Sequence, residues 1–527
     1  MFTEETAPRV LGDIARKNAI LRPEAIATYF EGRETTFAEF DRHTDQVANG
    51  LIALGVAPQD HIAYVGKNSD LFFELFFGAA KGRAILAPIN WRLAPPEIAY
   101  IVNDCGAQVL FVGPELIDSV RAIAKELTSV SVIIAMEGAT PEWPDFCAWR
   151  NAQSNAAPVR QATEADIAIQ LYTSGTTGRP KGAMLSNHNL LGMRERDPAD
   201  QREWNRASPD DVWLVAMPVF HIGGAGVLVW AAYNGGKCVI TREFNAVTIL
   251  DDFVKHRISK LFLVPAAMQF IVRQPKARQV DFSRLKYVMY GASPIPLDLL
   301  RECIDVFKCG FVQMYGMTET TGTIVALEPE DHTPEGSPRM RSAGRPVPGV
   351  EIAILDAAGR PLPPHQVGEI ATRSKANMVG YWNLPEATQQ TLSMDGWLRT
   401  GDAGYLDEDG YVYVHDRVKD MIISGAENIY PAEVENAIFG HPAVAEVAVI
   451  GVPDETWGEA VKAIVVLKPS KTATSDEIIA FARSRIAGFK TPRSVDFVGA
   501  LPRNASGKLL KRELREPYWA GKERRVN

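Results

Sequence analysis

At 527 residues the chain is too long for a single compact core, and its length corresponds to roughly three to four units of domain size. Hydrophobic residues at 46%, charged residues at 23% and a formal net charge of −8 argue against a disordered chain and against general nucleic-acid binding. Cys105, Cys147, Cys238, Cys303 and Cys309 are odd in number and form no Cys-x-x-Cys pair, which points to buried reduced thiols rather than a disulfide framework or structural zinc.

Met1 to Arg16 lacks the basic flank and apolar stretch of a secretory signal, and the terminal Arg-Val-Asn is no peroxisomal address. The apolar run Leu261 to Val272 is interrupted by Pro265 and Gln269, and neither it nor any other run reaches the ~18 residues of a spanning helix. A cytoplasmic chain with no transmembrane segment is expected, monomer and homodimer both remaining open. Thr36-Phe37-Ala38-Glu39 has the form of a capping box, and Val47, Leu51 and Leu54 recur at helical spacing up to Gly55. Ile62 to Val65 reads as a buried strand, Asp70 to Lys81 as a helix stopped by Gly82, and Ala84 to Pro88 as the next strand. The unit repeats from Pro95 to Val112, predicting a parallel sheet covered by helices. From Arg341 to Asp416 short alternating strands separated by Gly, Pro and Asp clusters suggest a β-rich layer. Beyond Lys419 a helix opened by Pro431, with Val434 and Ile438 on one face, precedes strands at Val444 to Ile450 and Ala463 to Leu467. The fold class is therefore α/β: a large N-terminal domain (1–418) of layered α/β subdomains plus a β-rich layer, and a small α+β C-terminal domain (419–527).

Leu171 to Gly182 reads Leu-Tyr-Thr-Ser-Gly-Thr-Thr-Gly-Arg-Pro-Lys-Gly. The hydroxyls of Thr173, Ser174, Thr176 and Thr177, the backbone at Gly175 and Gly178, and the Lys181 cation can all face phosphate oxygens. This composition reads as a phosphate cradle, a flexible linker being the alternative. Pro180-Lys181-Gly182 in place of Gly-Lys-Ser/Thr separates it from the Walker loop. Farther along, Asp409-Gly410 has the signature of a two-residue hairpin turn, flanked by Tyr405-Leu406 and Tyr411 to Val414. Counting outward pairs 408 with 411, 407 with 412 and finally 402 with 417. Asp402 and Arg417 should thus face each other at the open end of one hairpin. There a carboxylate can accept from ribose hydroxyls and a guanidinium can reach ribose or phosphate oxygens, with a plain cross-strand ion pair as the alternative.

The phosphate-cradle string is followed in order by Met314-Tyr315-Gly316-Met317-Thr318-Glu319, Thr400-Gly401-Asp402, Asp416 to Asp420, Ile423-Ser424-Gly425 and Pro502 to Lys508. In these segments the chain resembles the superfamily of adenylate-forming enzymes, which includes acyl-CoA synthetases, peptide-synthetase adenylation domains and luciferases. The resemblance implies ATP, Mg2+ and coenzyme A as cofactors. It assigns Glu319 to the metal, Thr318 to phosphate, Tyr315 with Gly316 to the adenine, and Gly291-Ala292-Ser293 to the border of adenine and acyl group. It implies that Lys508 serves adenylation and that the mobile C-terminal domain then swings about Lys419, bringing Ser424-Gly425 to the site where pantetheine passes. His221, in Pro218 to Gly224, falls at the acyl-pocket entrance and is a candidate catalytic or gating residue. Amino-acid-activating relatives carry an Asp after the matching Phe, and His221 cannot pair with a substrate ammonium. No carrier domain follows residue 527, so a free thiol is expected as acceptor.

Gly223, Gly224, Ala225 and Gly226 leave side-chain space, and Val227, Leu228, Trp230, Phe262, Leu263 and Met268 are candidate apolar walls, ordinary core packing being the alternative for each. The expected function is an acyl-CoA synthetase for a small-molecule carboxylic acid, a medium- or long-chain fatty acid for preference. The alternatives are an aryl-CoA ligase for benzoate- or cinnamate-like acids, an adenylation enzyme loading a carrier protein, and an inactive nucleotide-binding regulator.

Overall fold

Thr36 ends one strand and opens a helix. Its Oγ1 accepts from the Glu39 N–H at 3.2 Å while Glu39 Oε2 accepts from the Thr36 N–H at 2.9 Å, so the capping box starts Phe37–Ala53 where the sequence places it. Ser69 caps Asp70–Lys81 in the same manner, and Gly82 closes that helix. This helix is buried on every face; most of it is apolar, and its buried charges Asp70, Glu74 and Lys81 are each ion-paired. The computed structural model describes residues 7–173, 180–192, 202–206, 208–417, 420–424, 427–503 and 509–520, without the side chains of Asp416, Arg417 and Asn428.

The strands fall into four sheets among the described residues. One has seven strands: Ile85–Ile89, His61–Val65, Val109–Val112 and Val132–Ala135 are parallel, Ile167–Thr173 with Lys181–Ser186 adds an antiparallel hairpin, and Gly380–Tyr381 forms the edge beyond it. A nine-stranded sheet repeats the plan, with parallel strands including Val212–Val215, Lys260–Leu263 and Tyr287–Gly291 and an antiparallel hairpin of Gly310–Met317 and Gly322–Leu327. The β-rich layer is a four-stranded antiparallel sheet of Val350–Leu355, Gly368–Ser374, Trp397–Leu406 and Val412–Arg417. The small C-terminal domain has its own sheet and a core of Ile422, Val434, Ile438, Val449 and Val465. Lys419, where its start was expected, lies outside the described residues. No helix of the described residues is long and apolar enough to cross a membrane.

The hairpin carrying Asp402 reaches the expected end by a different route. Leu406 pairs with Val412 and Tyr405 with Tyr413, one residue off the count from a two-residue turn. The loop has three residues instead, closed by Asp407 N–H to Tyr411 O at 3.0 Å, with Gly410 at φ +80°; this is the form in which a left-handed residue completes a bulged turn. A second irregularity between Ala403 and Gly404 restores the register, and Asp402 faces Arg417.

Lys81 ties the first helices together: buried, its ammonium binds both Asp41 and Asp45, the latter at 2.7 Å. Burial raises the Asp45 carboxyl above its ordinary pKa, against the pull of Lys81. Replacing Lys81 with Met should strand both carboxylates and cost about 3 kcal/mol or more, read as a lowered unfolding temperature at pH 7 that partly recovers at acidic pH.

Candidate active site

Three antiparallel hairpins, one from each sheet of the large domain, converge at one place. The tip of the first begins where Thr173 faces Lys181. The second turns between Met317 and Gly322, presenting Thr318 and Glu319. The third brings up its open end at Asp402. Glu319, only 5% exposed, joins the first two: its Oε1 accepts from Tyr381 OH at 2.8 Å and from Thr173 Oγ1 at 3.4 Å. Its backbone carbonyl also accepts from the Met378 N–H at 2.7 Å. The Lys181 ammonium stands 4.4 Å from the centre of the Tyr381 ring, a cation–π contact beside the carboxylate. Tyr315 OH donates to Asp402 Oδ2 at 2.7 Å, joining the second hairpin to the third.

The hairpins need glycine where they approach each other. A Cβ on Gly316 would lie 1.7 Å from the Gly322 carbonyl oxygen, and one on Gly291 would lie 2.0 Å from that of Met314. Gly291 ends a strand at the carboxyl edge of the nine-stranded sheet, and Ala292 follows at φ +67°. Behind the first hairpin runs a polar relay: Asp104 Oδ2 accepts from Tyr172 OH at 2.6 Å, and Gln170 bridges Tyr172 to His61. Burial lowers the His61 imidazole pKa and raises the Tyr172 phenol, so both are neutral and serve as hydrogen-bonding struts.

Adjoining this polar junction is a cavity of about 190 Å³. Gly316, Thr318 and Ala292 form its polar end, and His221 stands at the start of the helix Ile222–Tyr233 that flanks it. Gly223, Gly226, Val227 and Trp230 face the cavity, as does Phe262. These helix positions are spaced by three, four and seven residues, the period of one helix face. Of the other candidate walls, Gly224 is pressed against the Pro218 carbonyl, Ala225 and Leu228 lie in the core, and Leu263 and Met268 belong to the core on the other side of the sheet. Those five do not line the cavity: Leu263 and Met268 lie on other elements, and the helix Ile222–Tyr233 is apolar all round, so its sequence alone does not mark the face that looks inward.

Residues 15–382 match the AMP-binding enzyme family, and residues 433–508 match the AMP-binding enzyme C-terminal domain. The chain belongs to the AMP-binding enzyme family. It is 40% identical over 514 residues to a fatty acid–[acyl-carrier-protein] ligase of Streptomyces coeruleorubidus, covering 96% of each chain. It is 38% identical to a feruloyl-CoA synthase of an Amycolatopsis species, covering 96% of this chain and 99% of that one. Among solved structures it superposes on an anthranilate CoA ligase in complex with anthranoyl-AMP with a TM-score of 0.89, at 27% identity over 98% and 99% of the two chains. It is thus an AMP-forming acid–thiol ligase of the acyl- and aryl-CoA ligase group, whose members use ATP, Mg2+ and coenzyme A.

The Glu319 neighbourhood suits that metal. It offers one buried hard anionic oxygen donor and the Thr173 hydroxyl, and no group of three metal-ligating side chains is present among the described residues. Such a sparse set matches Mg2+, which takes one or two carboxylates and completes its shell with substrate phosphates and water. Ser174, Gly175, Thr176, Thr177, Gly178, Lys419, Gly425 and Lys508 lie outside the described residues, as does the Arg417 side chain. Ser424 is buried and pairs with Gly458, and Ser293 follows Ala292 beyond the strand end. Sequence reasoning missed Tyr381, because a single Tyr far from every motif carries no local signal. It also missed Trp204, whose neighbourhood holds no recognisable string. Gly316→Ala should separate the strands of the second hairpin at its tip; ATP affinity should fall at least tenfold, measured by calorimetry, while far-UV circular dichroism stays that of the parent.

Proposed function

We propose that the chain is an acyl-CoA synthetase acting on an acid with a single aromatic ring or a medium-length aliphatic chain. The observation that carries this reading is the shared wall: Gly316 and Thr318 line the acyl cavity on one side and belong to the Glu319 hairpin on the other. A carboxylate entering the cavity would meet the nucleotide there. A cavity of about 190 Å³ compares with the roughly 150 Å³ that holds benzene, which favours a compact acid over a long-chain one. Relatives named for feruloyl and anthranilate substrates, and one named for fatty acids, support both halves of that class.

In this reading the carboxylate oxygen attacks the α-phosphorus, and the bond to diphosphate breaks. The thiol sulfur of coenzyme A then attacks the acyl carbonyl carbon, its proton passes to solvent, and AMP leaves. Bringing two anions together demands preorganised cations. Lys181 and Lys508 supply them, and Mg2+, when bound at Glu319, would neutralise phosphate charge. Thr173 to Gly178 cradle phosphate and Thr318 adds a hydroxyl. Asp402 and Arg417 take the ribose, Tyr315 stacks on the adenine with Gly316 beneath it, and Gly291-Ala292-Ser293 borders it. His221 gates the cavity mouth. The C-terminal domain (419–527) acts as a lid on the 1–418 domain, pivoting at Lys419 so that Ser424-Gly425 admits pantetheine. The reaction is cytoplasmic.

Diphosphate release over a panel of aryl, fatty and amino acids, with coenzyme A, with an acyl carrier protein, and with neither, tests the reading. Release with single-ring or medium-chain acids, with thioester formed on coenzyme A, is expected. Thioester on the carrier protein alone would favour the activity named for the Streptomyces relative, and no release with any acid would sink the proposal. Lys508→Ala should slow adenylation roughly 10²- to 10³-fold while leaving thioester formation from synthetic acyl-adenylate near the parent rate. Equal loss in both half-reactions would contradict a lysine used in one step.

A further inference from the structure

Trp204 lines the acyl cavity, and polar contacts hold it from behind. The helix Ile222–Tyr233 runs along the cavity from Gly223 to Trp230, seven residues and so about 10 Å at 1.5 Å each. The strand Gly322–Leu327 begins at the polar end, with Gly322 and Thr323 on the cavity, and leads away from it to Glu328. At the end where the helix reaches Trp230, the Trp204 ring stands edge-on to it, 6.3 Å between centroids and 80° between planes. Trp230 in turn packs on Trp213 at 4.9 Å, so the wall is backed by solid core.

Trp204 is held at three levels. Its indole N–H donates to Glu328 Oε2. Arg202 reaches the other carboxylate oxygen at 3.3 Å, so the charge beside the cavity is balanced. The Glu328 backbone is fixed by His332, whose Nδ1 meets the Glu328 carbonyl at 2.8 Å and whose Nε2 meets Tyr290 OH at 2.9 Å. A carbonyl only accepts, so Nδ1 carries the proton and Nε2 accepts from the tyrosine. Burial pushes this imidazole down to about 4, and it is neutral at pH 7. Beneath the segment, Lys260 donates to the carbonyls of Glu203 and Arg206 and pairs with Asp211 at 2.9 Å. A large side chain fixed on both flanks and through its N–H does not swing aside for a longer ligand.

We propose that Trp204 sets the length limit for the acid, and that Glu328 is the positioning residue that holds its indole across the cavity. The acids accepted have a body about one ring or one medium chain long. The inference rests on the acyl-activating reading above, deepening it to a residue that selects substrate.

The experiment measures diphosphate release as kcat/KM over straight-chain acids from butyric to palmitic, with benzoic and cinnamic acids alongside, and records KM for ATP. The parent should favour the medium chains or single rings. Trp204→Ala should raise the palmitic-to-hexanoic ratio at least tenfold, the discrimination that a few methylenes command in an apolar pocket, with KM for ATP unchanged. Trp204→Phe should keep the limit, since a ring still fills the end. Glu328→Gln, which retains an acceptor for the indole, should keep it too, and Glu328→Leu should relax it without touching Trp204 itself. An active Trp204→Ala or Glu328→Leu enzyme with the parent ratio overturns the length wall and leaves the acyl-activating reading standing. A parent that already prefers palmitic acid overturns it likewise. A parent that releases no diphosphate with any acid overturns both.

Discussion

A carboxylate taken almost wholly out of water must be given donors or a cation, and Glu319 sits in that condition where two sheet edges meet. Tyr381 and Thr173 reach it from the first sheet and Met378 fixes its backbone, while its own hairpin belongs to the second. The rest of the site follows from that constraint. Once Glu319 is anchored, the Thr173–Lys181 hairpin lies against the Thr318 turn, and Tyr315, on the same strand, draws in Asp402 from the third sheet. Three hairpin ends then surround one space with hydroxyls, carboxylates and a lysine.

The adjoining cavity is built by other means. It is lined by the face of one helix and the flank of one strand, with Trp204 and Trp230 at one end. Polar groups around Glu319 and apolar groups lining the cavity therefore sit largely on different elements and meet along Gly316, Thr318 and Ala292. In the proposed reading, substitutions at the Trp204 end change which acid enters without moving the donors around Glu319.

Much of this was legible in the chain itself where the signal is local. The Thr36 and Glu39 capping box, the Asp70–Lys81 helix and the parallel units around Ile62 and Val109 depend on neighbours in sequence, and they form as read. The Asp402–Arg417 pairing was reached from the turn, although two register irregularities that compensate each other were needed to make it true. Side-chain partners across sheets were not legible. Nothing near Tyr381 marks it as the donor to Glu319, and nothing near Glu328 marks it as the acceptor for the Trp204 indole. The helix Ile222–Tyr233 exposes the same limit: with apolar residues on all sides, its inward face is decided by what packs around it.

The central claim is that the buried Glu319 carboxylate carries the metal that accompanies the nucleotide. Calorimetric titration of ATP and of AMP into the parent and into Glu319→Gln, each over a series of Mg2+ concentrations, tests it most directly. ATP affinity should rise with Mg2+ in the parent and lose that dependence in the variant. AMP affinity, set by the adenine and ribose contacts, should stay alike in both. An ATP affinity whose Mg2+ dependence survives in a folded Glu319→Gln protein would contradict the account.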